Sequence, residues 1–218
     1  MIRRRDFLRS GGIAAVLAGV GVGVGEVQAK TKPGAKWAMI IDLNRCSGCG
    51  SCVIACKAHN KTVDRAFLTT VVNSETGEYP NSRDVFTPIQ CNQCEDPPCV
   101  EACAEKATFR LDNGIVVTDW NLCNGDGRCV EACPYQARIL DSRHGNRVDK
   151  CDFCLNRIDR GLTPACVEAC PQNARVFGDL ATPSPELKAY TKRKDLAHRK
   201  ADLKLASRVW YISSIAVD

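Results

Sequence analysis

Histidine is almost missing from this 218-residue chain. Its three copies, His59, His144 and His198, stand apart in polar stretches without a nucleophile partner, so each reads as a surface residue. Their isolation removes the usual general base of nucleophilic and hydrolytic chemistry. Aromatic residues make up only 6% of the chain, which leaves few rings to fill a core. Beyond residue 25 no apolar run approaches the ~20 residues needed to cross a bilayer. Charge of one sign is also scarce. The formal +5 includes four arginines and two acids in residues 1–29, and the remainder holds 26 basic and 23 acidic residues, a net +3. That excess is too small to point to nucleic acid. The alternating glycines at 19, 21, 23 and 25 imitate a nucleotide loop, but no strand, helix or acidic partner follows them.

Cysteine is abundant instead, with fifteen copies confined to four groups. A box Cys-Val-x-Ala-Cys occurs at 52–56, 99–103, 129–133 and 166–170. Group one is Cys46, Cys49, Cys52 and Cys56, and group two is Cys91, Cys94, Cys99 and Cys103. In group three only Cys123 precedes Cys129 and Cys133, and group four is Cys151, Cys154, Cys166 and Cys170. This is the spacing of iron–sulfur ligation, in which three close-set thiolates hold one cluster and a fourth, on the following helix, reaches another. Clusters therefore come in pairs. Small residues such as Ser47, Gly48, Gly50 and Ser51 let the loop turn tightly around an inorganic core. Structural zinc favours C-x2-C pairs a dozen or more residues apart, so zinc and a disulfide framework both fit less well. Clusters would fill the core that aromatics do not, and their removal should unfold the chain. Each adds about −1 to −2 charge, which makes the loaded protein acidic.

Arg3-Arg4-Arg5-Asp6-Phe7-Leu8-Arg9, the weakly apolar run 11–25 and Val27-Gln28-Ala29 look like a twin-arginine export signal over residues 1–29. An oxidising periplasm would ordinarily turn cysteines into disulfides. A folded passenger arrives with its thiolates already bound to iron.

The expected fold class is α+β. Strands are predicted over 36–43 and 67–73, with a surface loop at 73–83 and a hairpin at 107–119 turning on Asp112-Asn113-Gly114. Further strands are predicted over 137–140, 147–150 and 174–178, and each box should start a helix. From 184 to 206 the leucines and Tyr190 recur at helical intervals. That pattern predicts a helical tail, either solvated or laid across a partner, with Val209-Trp210-Tyr211-Ile212 as its apolar end.

The four groups, Pro97-Pro98 before Cys99, the eleven-residue gap before Cys166 and the leader together resemble a known family. It is the four-cluster electron-transfer (beta) subunits of molybdopterin oxidoreductases, of the dimethyl sulfoxide, thiosulfate and tetrathionate reductase type, and the likeness spans about residues 37–180. The stretches 38–43, 66–70, 107–109 and 162–168 look most like periplasmic tetrathionate reductase beta subunits. The exported iron–sulfur subunit of the formate-dependent nitrite reduction system is the next resemblance. The family implies two interleaved ferredoxin-like two-cluster modules. Residues 37–85 (group one) would pair with 146–180 (group four) around an inner module at 86–145, followed by a charged tail at 181–218 that is available as a subunit dock. It also implies the ligand sets. Cys46, Cys49 and Cys52 would join Cys170 on one 4Fe-4S cluster; Cys151, Cys154 and Cys166 would join Cys56 on a second; Cys91, Cys94 and Cys99 would join Cys133 on a third. Cys103, Cys123 and Cys129 remain for the last.

That last site departs from the family, because Asp126 stands where a cysteine is expected. Either the cluster is 3Fe-4S with an empty corner, or Asp126 gives an oxygen ligand to a fourth iron. A hard carboxylate holds iron less tightly than a soft thiolate, which favours the three-iron form. The implied role is a non-catalytic relay between a quinone-linked integral membrane subunit and a molybdopterin catalytic subunit, with no nucleic acid and no small-molecule substrate of its own. A redox sensor or cluster-bearing enzyme is the rival, and it would have to use the Asp126 site. Lys57, Arg128, Lys150 and Arg157 lie near cysteines in sequence and could tune potentials or face a partner.

Overall fold

A computed structural model describes residue 32 and residues 34–213; the leader lies outside the described residues. One unit is repeated four times: a strand, a cysteine loop, a helix carrying the box, and a strand. The leading strands are β1 (Trp37–Asp42), β3 (Arg83–Gln90), β5 (Val116–Thr118) and β7 (Arg147–Lys150). The helices are α1 (Ser51–Asn60), α2 (Pro98–Glu101), α3 (Arg128–Glu131) and, after the one-turn α4 (Leu155–Ile158), α5 (Ala165–Glu168). The trailing strands are β2 (Thr69–Thr76), β4 (Thr108–Arg110), β6 (Arg138–Asp141) and β8 (Arg175–Asp179).

Each trailing strand pairs antiparallel with the next leading strand: β2 with β3, β4 with β5, β6 with β7. The last, β8, returns to pair antiparallel with the first, β1, with Ile41 opposite Arg175. This closes the repeat into a ring. Helix α1 packs on α5, and α2 packs on α3.

The segment 73–83 is not a plain loop, since β2 continues to Thr76 and β3 begins at Arg83. Most of the polar arm of β2 is exposed, so no in–out alternation marks it as strand.

The tail is not a helix either. It forms the short α6 (Pro185–Tyr190), β9 (Leu196–Ala197), a 3-10 turn at Ala201–Leu203 and β10 (Val209–Ile212). Strand β10 enters the sheet parallel to β1, giving the order β8-β1-β10-β9. This sheet buries both faces. Met39, Ile41, Val209 and Tyr211 point into the cysteine side with Phe153, Cys52 and Cys166, whereas Ile40, Val176 and Ile212 meet Leu187 of α6 on the other. The Tyr211 hydroxyl also donates to the Pro88 carbonyl at 2.9 Å.

Leu187, Val209, Tyr211 and Ile212 are fully buried, and burying such side chains contributes roughly 1.5–3 kcal/mol each. Together they rival the typical stability of a whole domain, about 5–15 kcal/mol. Deleting the chain from Ser184 onward is therefore expected to abolish folding and iron content, not merely assembly. Iron analysis of the truncated protein checks this, and a soluble truncation with full iron would restore the dock reading.

Candidate metal centres

Each Cys-Val-Glu-Ala-Cys box makes one helical turn, started by Pro98 at the first position of α2, by left-handed Gly127 before α3 and by Pro164 before α5. The first cysteine of each (Cys99, Cys129, Cys166) is buried within the turn, and the second lies just beyond it. Four residues of helix rise about 6 Å, so one box can serve two neighbouring centres. The loops ahead of α1 and α3 depend on glycine at two tight points. A Cβ on Gly48 would sit 2.4 Å from the Phe86 ring, and one on Gly125 would sit 2.7 Å from the Gly145 carbonyl oxygen.

The fold gathers the cysteines into four sets. Cys46, Cys49, Cys52 and Cys170 line one hollow, and Cys91, Cys94, Cys99 and Cys133 line another; each encloses about 340 Å³ of empty space, part of it open to solvent. Cys56 lies beside Cys154 and Cys166, and Cys151 beside Cys56 and Cys166. Cys129 lies beside Cys103 and Cys123. Neighbouring sets touch in sequence. Arg175 joins Cys52 to Cys166, Cys151 feels Cys91, and Arg138 joins Cys99 to Cys129. The line therefore runs from the Cys46 set through the Cys151 set and the Cys91 set to the Cys123 set.

All fifteen cysteines are free of disulfides. Among the described residues no three His, Cys, Asp or Glu converge closely enough to hold a single metal ion. Zinc would need its sulfurs about 2.3 Å from one centre. Sulfurs that share a hollow without closing on a point suit a larger inorganic core. Burial and neighbouring thiols push Cys56 and Cys94 up to about 12, and burial does the same for Cys154. Thiolates at this spacing need positive charge among them, which iron supplies. The residues fit iron–sulfur clusters. Cys49 alone is exposed, and the Ser51 hydroxyl and backbone hold it below the usual thiol range.

Asp126 faces its neighbour Arg128. The Arg128 backbone amide and Nε donate to its two carboxylate oxygens at 3.2 and 2.7 Å, and this contact holds the acid below its ordinary range. Among the described residues no hydrogen bond joins it to Cys103, Cys123 or Cys129. The Val148 amide instead donates to the Cys123 sulfur at 3.5 Å.

Of the four cations expected near the centres, only Lys150 is buried there, donating to the Cys151 carbonyl at 2.8 Å. Lys57 caps the carbonyls of Val63 and Ala66 and lies over the Phe67 ring, and Arg157 pairs with Glu168. Sequence reasoning missed Arg138 and Arg175, which are 4% and 3% exposed. A signal was present: Cys133-Pro-Tyr-Gln-Ala-Arg138 and Cys170-Pro-Gln-Asn-Ala-Arg175 are one repeated motif. Phe153 belongs to the core against Phe177, and the Trp120 indole donates to the Val148 carbonyl at 2.9 Å. The histidines touch no nucleophile. His59 meets Asn156, His144 meets Trp120, and His198 meets the Val209 carbonyl.

Comparison with known proteins agrees with this geometry. A 4Fe-4S dicluster domain matches residues 83–180, and a 4Fe-4S binding domain matches 37–58. The tetrathionate reductase beta subunit of Salmonella typhimurium is 45% identical over 69% of this chain, a match spanning 61% of its own length. Its counterpart in Archaeoglobus fulgidus, also from a tetrathionate reductase, is 36% identical over 90% of this chain and 91% of its own. Protein NrfC of Escherichia coli is 35% identical over 88% and 86%. The cysteine sets, the paired cluster domains and relatives matched over nearly their whole length place the chain in the family of beta iron–sulfur subunits of molybdopterin oxidoreductases.

Proposed function

We propose that this chain relays electrons, one at a time, between a quinone-linked membrane subunit and a molybdopterin catalytic subunit of a tetrathionate-type reductase, in the periplasm after twin-arginine export. The observation that carries this is the unbroken line of four cysteine sets, each touching the next. Bound clusters would supply reversible one-electron chemistry with no bond made or broken in a substrate. The chain's part is to fix the order of the centres, keep water from the inner sulfurs and present two ends to two partners.

In this reading Cys46, Cys49, Cys52 and Cys170 hold one 4Fe-4S cluster. Cys151, Cys154, Cys166 and Cys56 hold the second, and Cys91, Cys94, Cys99 and Cys133 hold the third. Cys103, Cys123 and Cys129 hold a 3Fe-4S cluster, since Arg128 occupies the Asp126 carboxylate. The groups thus form two modules, one and four together and two and three together, as the packing of α1 on α5 and of α2 on α3 supports.

Affinity purification from the native membrane should bring down a molybdopterin protein and an integral membrane protein. A stable solitary monomer would contradict the relay, and a cytochrome partner in place of the molybdopterin one would favour the nitrite reduction system. For export, the double variant Arg4→Lys, Arg5→Lys should leave iron-loaded precursor in the cytoplasm, whereas the native mature protein should begin near Lys30 by intact mass. Normal periplasmic accumulation of the variant would overturn the export route.

A further inference from the structure

We propose that Arg138 and Arg175 are redox-positioning residues: each buried guanidinium lies between the two cysteine sets of its half of the molecule, hydrogen-bonds a sulfur of each, and holds both centres at a higher reduction potential. The proposal rests on reading the four sets as cluster ligands.

The two arginines occupy equivalent places. Each follows a Cys-Pro-x-x-Ala stretch and is the first residue of a trailing strand, β6 or β8. Each is tied to the threonine that opens another trailing strand: Arg138 Nη1 donates to Thr108 Oγ1 and Arg175 Nη2 to Thr69 Oγ1, both at 3.1 Å. Arg138 Nη2 reaches the Cys99 sulfur at 3.1 Å, and the same side chain hydrogen-bonds Cys129. Arg175 Nη1 reaches the Cys166 sulfur at 3.7 Å, and the side chain hydrogen-bonds Cys52. Gln90 Oε1 accepts a further bond from Arg175 at 2.5 Å. A ring-like fold with four similar units has thus built the same contact twice, once for each pair of sets.

Among the described residues no carboxylate pairs with either arginine. A buried guanidinium without a counter-ion is costly, so the sulfurs it touches must carry the negative charge. Burial opposes the charge on each arginine, yet the surrounding cysteines hold both above their ordinary value. A guanidinium does not release its proton, so its charge is the same in both redox states. Adding one electron beside a fixed cation in a low-dielectric interior is favoured, and hydrogen bonds to thiolate sulfur act in the same direction. Since one cation faces two sets, its loss should move two potentials together and leave the other two in place.

The test is a dithionite titration of the iron-loaded protein followed by electron paramagnetic resonance, on wild type, Arg138→Gln, Arg175→Gln and the two lysine variants. Arg138→Gln should lower the centres at the Cys91 and Cys123 sets by a tenfold change or more in the oxidised-to-reduced ratio, about 59 mV for a one-electron couple. Arg175→Gln should do the same at the Cys46 and Cys151 sets, and lysine should restore most of each shift. Unchanged potentials with full iron would overturn the proposal. So would lysine variants that fall as far as the glutamine ones, or loss of iron from both substitutions, which would make the arginines folding residues only. A wild-type protein without iron would instead contradict the ligand reading itself.

Discussion

Stripping the iron from the folded protein should unfold it cooperatively, with loss of helix and strand signals as the visible cluster absorption disappears. Cysteines belong to the core: Cys52 and Cys166 pack with Met39, Ile41, Phe153 and Tyr211, and Cys99 and Cys129 with Val116 and Val148. Emptying the centres leaves voids among these side chains, and it also removes the counter-charge of Arg138 and Arg175. With burial and crowding pushing Cys56 and Cys94 up to about 12, empty sites are neutral thiols at pH 7. Breaking a buried ion pair by removing one partner costs about 3–5 kcal/mol, and here it happens twice. That matches much of the ~5–15 kcal/mol that keeps a domain folded. Circular dichroism during chelation under anaerobic conditions measures the effect. A metal-free protein that kept its full spectrum and a sharp thermal transition would show that the sheet around β1 stands without the clusters.

The second large effect concerns Asp126. Native protein oxidised in air should show one paramagnetic three-iron signal and hold about fifteen irons, because three centres are full cubanes and the fourth has three sulfur ligands. Asp126→Cys restores the missing thiolate at a position whose loop already has the required turns at Gly125 and Gly127. It should add one iron, remove the oxidised signal and lower that centre's potential, since a fourth iron-bound thiolate adds negative charge. The substitution also frees Arg128, an exposed pair partner whose loss should matter little to stability. About sixteen irons and no oxidised signal in the native protein would make Asp126 a ligand after all.

The cysteine sets were legible in the sequence because ligand spacing is local: a C-x2-C loop and a one-turn box fix which sulfurs stay close. The hairpin at 107–119 was legible for the same reason, its Asn-Gly turn bringing Phe109 opposite Val117. Strand β10 was not. Its pairing of Val209 with Met39 joins residues 170 positions apart, and the charged segment between 184 and 206 conceals the few side chains, Leu187 above all, that the sheet buries. The arginines escaped notice because charged side chains ordinarily lie on the surface. What buries Arg138 and Arg175 is sulfur from other groups, Cys99 and Cys129 for one, Cys52 and Cys166 for the other. A repeat search beyond the cysteines would have found them, since the two share the same five preceding positions.

The most direct measurement of the relay is a count of reducing equivalents taken up by the purified, iron-loaded protein in an anaerobic titration. Four one-electron centres in line should accept about four electrons per chain, the first of them erasing the three-iron signal. Uptake of none, from a colourless protein whose cysteines hold zinc, would contradict the account.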